Sequence, residues 1–329
     1  MIRAIRDDSL APRIVSSRSL LYTEGANAAD DRPAHVRAGS GLALHKRELF
    51  VVQDDANFVA RVELDRDVVR AIALPRGEGG RRLFSEATGN KAHKHDFEAC
   101  FVHTVNGEAV LVGVGSGSTS ARCSILIVSA FEAREAAVRI LDASSFFAAL
   151  ASLREFSGAE LNIEGATCDG RTVRLFQRGN GRARDGHLPQ NATCDFDAAQ
   201  FFDHIENSAP LPLPTNVRAY DLGTMNGVPL TFTDAALLPG GRTLFLAAAE
   251  DSPDTYHDGV VVGTALGILE NDGSARYAPI AYSDGTPFLG KPEGIAPNPA
   301  NSREGFVVID KDDPDLPCEL VRIAYNSGR

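Results

Sequence analysis

Glu293-Gly294-Ile295-Ala296, a turn, and then Gly305-Phe306-Val307-Val308-Ile309 set the pattern by which the chain can be read. The phrase opens on an oxygen-bearing side chain and passes through a small residue into an apolar pair. It leads into a run rich in β-branched and aromatic residues, the composition of a buried strand. Moving towards the N-terminus, it recurs as Asp234-Ala235-Ala236-Leu237, Glu164-Gly165-Ala166-Thr167, Glu98-Ala99-Cys100-Phe101 and Ser40-Gly41-Leu42-Ala43, with steps of 59, 70, 66 and 58 residues. Each copy has its own second run: Thr243–Leu246, Thr172–Phe176, Ala109–Val112 and Glu48–Val52. A polar loop, a third strand such as Phe58–Val62 or Glu319–Ile323, and usually a fourth such as Val68–Ile72 complete the unit. Four antiparallel strands in a fixed-order repeat predict an all-β fold, a five-bladed β-propeller.

The ends of the chain complete the count. Glu293 is followed by 36 residues, room for three strands, while 39 residues precede Ser40 without a phrase of their own. Joined, and counted through Ser40 itself, they make a closing step of 76 residues, near the others, so Arg13-Ile14-Val15-Ser16 is predicted to supply the outer strand of the last blade. Six blades is the alternative, if the N-terminal segment or the long third unit hides one. No linker or charge block divides residues 1–329, which read as one domain. Two stretches, 144–153 and 197–205, have helical spacing behind a Ser or Asp cap and are expected as short peripheral helices whose phenylalanines pack.

Composition narrows the function. With 43% hydrophobic residues, 30 Gly and 17 Pro, the chain suits short strands and turns around a sizeable core. The net charge of −11, with no Lys/Arg run longer than two, argues against nucleic-acid or membrane partners and favours cations near the protein. The opening MIRAIRDDSLAPRIVSSRSLL carries no apolar signal core, so a cytoplasmic monomer is the expectation. Five widely spaced cysteines form no C-x-x-C pair and read as reduced thiols. Gly113–Ser118 lacks the Lys-Ser/Thr ending of a phosphate loop, and neither G-x-S-x-G nor H-E-x-x-H occurs.

An antiparallel return places the start of the first strand and the end of the second on one face of the disc. That face gathers Asp54, Asp55, Glu250, Asp310 and Asp312 from the loops after second strands, with Arg178 and Lys311, and Arg37, His93, Lys94, His95, Asp96 and Lys291 from segments entering first strands. The leading residues Ser40, Glu98, Glu164, Asp234 and Glu293 are expected to converge on the axis. Four carboxylates in a narrow channel repel unless a cation or protons neutralise them. Hard oxygen donors from several loops, without His or Cys, match one axial calcium ion better than magnesium. The alternative is that these acids cap backbone amides at the channel mouth.

The phrases Glu293-Gly294-Ile295-Ala296 and Ile163-Glu164-Gly165-Ala166 resemble the repeats of bacterial phytase-like and SdiA-regulated-type propellers. The ordered set Ser40, Glu98, Glu164, Asp234, Glu293 is similar to the axial calcium ring of the calcium-activated nucleotidases, or apyrases. In that five-bladed family the ring runs serine, glutamate, glutamate, serine, glutamate. Asp234 departs from it, as does the absence of tryptophan from this chain. The resemblance implies a metal-dependent hydrolase of a small phosphorylated or other anionic substrate. Arg178, Lys291, Lys311, His95 and Arg37 would then bind the anion, and Asp54, Asp55 or Asp310 would orient water or act as base. A lactonase-type hydrolase acting on uncharged substrates and a non-catalytic binding module with a structural metal are the alternatives.

Overall fold

Each second strand is apolar throughout because both of its faces are buried, and side chains of alternating direction enter two different interfaces. In blade one, Phe50 and Val52 pack towards blade two while Leu49 and Val51 pack towards blade five. The computed structural model, which describes residues 1–105, 107–131, 135–251 and 259–328, has five such interfaces, each with its own hydrophobic cluster. They close a five-bladed propeller.

The innermost strands are Gly39–His45, Phe97–Val105, Ile163–Cys168, Thr231–Leu237 and Lys291–Pro297. Each blade continues outwards through antiparallel neighbours, in blade one Glu48–Gln53, Phe58–Glu63 and Val68–Ala73. Blade five obtains its outer strand from the N-terminus: Arg13–Ser19 pairs antiparallel with Glu319–Ala324, Ile14 opposite Ile323. The first residues extend this lacing beyond the sequence expectation. Ile2–Arg3 adds a parallel fifth strand beside Thr215–Asp221 of blade three, and Ile5–Arg6 does the same beside Ala275–Pro279 of blade four.

The two expected helices form as Ser144–Ser152 and Ala198–Asn207, and a further short turn, Arg154–Ser157, follows the first. Asp197 caps the second helix by accepting from Gln200 N at 3.0 Å, and Asp142 Oδ1 accepts from Ser144 N at 2.9 Å. Phe146 meets Phe196 and Phe201 edge-to-face with ring centroids 5.2 and 5.4 Å apart, so the phenylalanines are packing residues. All five cysteines are free, and no helix among the described residues is long and apolar enough to cross a membrane. Of the long loop from Glu250 to Asp258, residues 252–258 lie outside the described set.

The lacing yields the first prediction. Deleting residues 1–7 removes both parallel edge strands but spares the closing strand and fully buried Leu10, and is expected to lower the melting temperature by a few degrees. Deleting residues 1–20 opens the Glu319–Ala324 edge and is expected to abolish cooperative unfolding in circular dichroism. Equal melts for the two truncations would contradict the closure.

Candidate functional site

Every innermost strand carries a register shift against its neighbour, a bulge that leaves one residue unpaired near the axis. The shifts fall between Gly39 and Gly41, Phe97 and Ala99, Ile163 and Gly165, Phe232 and Asp234, and Pro292 and Gly294. The five unpaired residues are therefore Ser40, Glu98, Glu164, Thr233 and Glu293. In the fourth blade this corrects the sequence expectation by one position: Thr233, not Asp234, stands in the ring. Hydrogen bonds show the same equivalence. Ser40 Oγ donates to Phe97 O at 2.5 Å and Thr233 Oγ1 to Pro292 O at 2.6 Å, each reaching the residue before the bulge of the next blade.

Asp234 sits where the other blades have Gly41, Ala99, Gly165 and Gly294. At that level the inner strands nearly touch; a Cβ on Gly294 would meet Leu42 N at 2.8 Å. The Asp234 carboxylate is fully buried, and its Oδ2 accepts from Ile295 N at 2.7 Å. Burial pushes its pKa well above the carboxylate range. It joins inner strands below the ring and does not line the mouth above.

That mouth is a cavity of about 440 Å³ on the expected face. Asp54, Asp55 and Asp310 line it, as do Ser40, Glu98, Glu164 and Glu293, with Arg37, Arg178 and Lys291. His95 and Lys311 do not. His95 stacks on Phe97, centroids 5.4 Å apart, with Nδ1 3.2 Å from Ser124 Oγ, and Lys311 Nζ pairs with Glu319 at 2.8 Å. His95 precedes the strand, which begins at Phe97, and the left-handed backbone of Asp96 between them turns its ring onto Phe97 and away from the mouth. Lys94 and Asp96, expected on this face from the segment entering the second blade, do line the mouth. Glu250 and Asp312 line it as well, from loops expected on this face, whereas Arg122 and Asn162 were not expected there. The Gly113–Ser118 run serves packing, since a Cβ on Gly115 would lie 2.2 Å from Arg122 O.

The cations of the mouth are held by acids. Lys94 Nζ lies 2.5 Å from Asp54 and 2.6 Å from Asp96, and Arg122 is 3.0 Å from Asp96. Arg178 reaches Glu250 at 2.5 Å and Glu164 at 3.5 Å; Lys291 reaches Asp312 at 2.9 Å and Glu293 at 3.4 Å. Arg37 clamps Asp55 with two nitrogens. Asn162 Nδ2 donates to Glu164 Oε1 at 2.7 Å. Glu98 has no ion-pair partner among the described residues, and Asp54, Asp96 and Glu98 each offer an oxygen within 4.8 Å of the others. Burial pushes Glu98 and Glu293 well up, Glu164 and Asp310 to about 7 and Asp55 to about 6. Asp96 is the exception, held below its usual range against its own burial by Lys94 and Arg122.

These directions fix a pH dependence. Asp55, Glu164 and Asp310 hold protons more tightly when folded than unfolded, so the folded chain binds more protons between about pH 4 and 7 and loses stability as pH rises through that window. Asp96 acts oppositely but only below about pH 4, where it is protonated in the unfolded chain. In chelator, the melting temperature is expected to fall between pH 5 and 8; a rise over that range would contradict the assignment.

Residues 35–324 match the model of a family described as a family of unknown function (DUF6929). No curated protein matches the chain. Among solved structures it is similar to a glutaminyl cyclase of Myxococcus xanthus, at 10% identity and a TM-score of 0.45 over 99% of both chains. It is also similar to a calcium-binding protein, regucalcin, of Agrobacterium tumefaciens, at 10% identity and a TM-score of 0.42 over 100% of this chain and 97% of the other. At these values the likenesses assign no chemistry.

Proposed function

The chain belongs to the DUF6929 family, and for it we propose a mouth that binds one hard divalent cation, best calcium, and hydrolyses a small uncharged ester or lactone. The donor set supports the cation. Ser40, Glu98, Glu164 and Glu293 bring hard oxygens to the mouth, and Thr233, fully buried and outside its lining, restores the serine, glutamate, glutamate, hydroxyl, glutamate order of the apyrase ring along the chain. Glu293 Oε2 is buried without a hydrogen-bond partner among the described residues. Ionising such an oxygen costs several kcal/mol unless a cation faces it. Glu98, Glu164 and Glu293 would hold the ion with the Ser40 hydroxyl near. When bound, such an ion polarises a carbonyl oxygen.

The observation that favours an uncharged substrate over a phosphorylated one is the state of the basic residues. Arg37, Lys94, Arg122, Arg178 and Lys291 are each already engaged by carboxylates, and Lys91, which also lines the mouth, pairs with exposed Glu86 at 3.6 Å, while Lys311 and His95 lie outside the mouth. A phosphate would have to take the arginines, Lys94 and Lys291 from buried acids, leaving those acids uncompensated.

Asp310 is the base in this reading. It is half-buried, lines the mouth, and is poised at about 7, where a carboxylate can take a proton from water. The Lys311 amide donates to its Oδ1 at 2.8 Å and fixes the carboxylate plane. Asp55 is clamped by Arg37 and Asp54 by Lys94, so both act as supports.

The test is a panel of aryl esters, γ- and δ-lactones and aryl phosphates, assayed with calcium and with chelator. Calcium-dependent turnover of an ester or lactone is expected, with Asp310→Asn losing at least about 100-fold in kcat while keeping its melt and metal content. Turnover of phosphates alone would reverse the substrate assignment. No turnover with stoichiometric bound calcium would leave a binding module with a structural ion.

A further inference from the structure

Lys94 stands where three carboxylates meet. Asp54, Asp96 and Glu98 each present an oxygen within 4.8 Å of the others, a spacing at which one cation could touch all three. Lys94 Nζ already lies 2.5 Å from Asp54 Oδ2 and 2.6 Å from Asp96 Oδ1. Lys94 is 5% exposed and Asp96 is 3% exposed, so water offers these charges little screening. Asp54 Oδ1, also shut off from solvent, has no hydrogen-bond partner among the described residues. The backbone aids the convergence: Asp96 adopts a left-handed φ of 56°, an unusual conformation for a residue other than glycine.

This cluster shares Glu98 with the axial ring, so the mouth has two adjoining groups of hard oxygens joined by one carboxylate. Paired divalent ions in hydrolytic sites stand about 3.5–4 Å apart and share ligands in this manner. Here one of the two groups already holds a cation, an ammonium tethered to the chain. A divalent ion added beside it would meet a like charge at short range in a poorly screened site.

We propose that Lys94 is a built-in counter-cation seated in a second divalent-ion position, and that it restricts the mouth to one exchangeable ion. The identity of that one ion rests on the axial-cation reading above; the seat at Asp54, Asp96 and Glu98 does not. With a single exchangeable ion the chain lacks a two-metal clamp, and the proton from water must go to a side chain such as Asp310.

The experiment measures calcium stoichiometry by titration calorimetry and elemental analysis on the full chain: wild type, Lys94→Met, Lys94→Arg and the double variant Lys94→Met/Asp54→Asn. One ion is expected in wild type, two in Lys94→Met, one in Lys94→Arg, and one in the double variant. Wild type and Lys94→Met both binding one ion would overturn the proposal and leave the axial reading intact, the acids having taken protons instead. Wild type binding none and Lys94→Met binding one would support the seat while removing the axial reading. No binding by either would remove both. If Lys94→Met does not fold without calcium, millimolar calcium is expected to restore a cooperative melt with two ions bound. Failure of that rescue, with the double variant folding, would overturn the proposal.

Discussion

Repulsion between carboxylates that the fold forces together is the constraint on which the rest of the site depends. Five bulges at equivalent places aim five side chains at one axis, and three of these are glutamates. The backbone cannot spread them, because at the next level the inner strands are nearly in contact. Charge has to be met by charge in place. The mouth answers with lysines and arginines tied back to particular acids, and burial pushes the Glu98 and Glu293 carboxyls towards their neutral form. Each basic residue is thereby committed to the protein's own acids.

The commitment is uneven around the ring. On the side of blades one and two, Lys94, Arg122 and Arg37 face Asp54, Asp55 and Asp96, leaving Glu98 without an ion-pair partner among the described residues. On the opposite side, Arg178 and Lys291 each divide their charge between two acids, one of them a ring glutamate. The ring glutamates on the two sides are thus neutralised to different degrees, with Asp310 lining the same mouth.

Much of the architecture was legible because it rests on composition: strands buried on both faces are apolar throughout, and the closing strand was implied by a shortage at one end and a surplus at the other. The ring was less legible. Thr233 and Asp234 both carry oxygen, and only pairing register, which depends on the neighbouring strand, distinguishes the bulged residue from the one after it. His95 failed for another reason: it lies just before the strand, next to Asp96, whose left-handed backbone no sequence periodicity announces. Lys311 sits in a loop where no periodicity applies, and its partner Glu319 is fixed only by the tertiary fold. The lacing by Ile2–Arg3 and Ile5–Arg6 involves pairs of residues too short to show a pattern.

The lacing also sets an order of assembly. During synthesis the N-terminal strand emerges first, yet its partner Glu319–Ala324 lies at the other end of the chain, and the edges of blades three and four wait for the same segment. Blades one and two draw all their strands locally and can form as the chain appears. Pairing Ile14 with Ile323 spans a greater sequence separation than the pairings of Ile2–Arg3 or Ile5–Arg6, so that search carries the largest closure entropy of the three and is expected to end after the local blades have formed. Until it ends, the nascent ring keeps unpaired edges that a chaperone, or a second nascent chain, can reach.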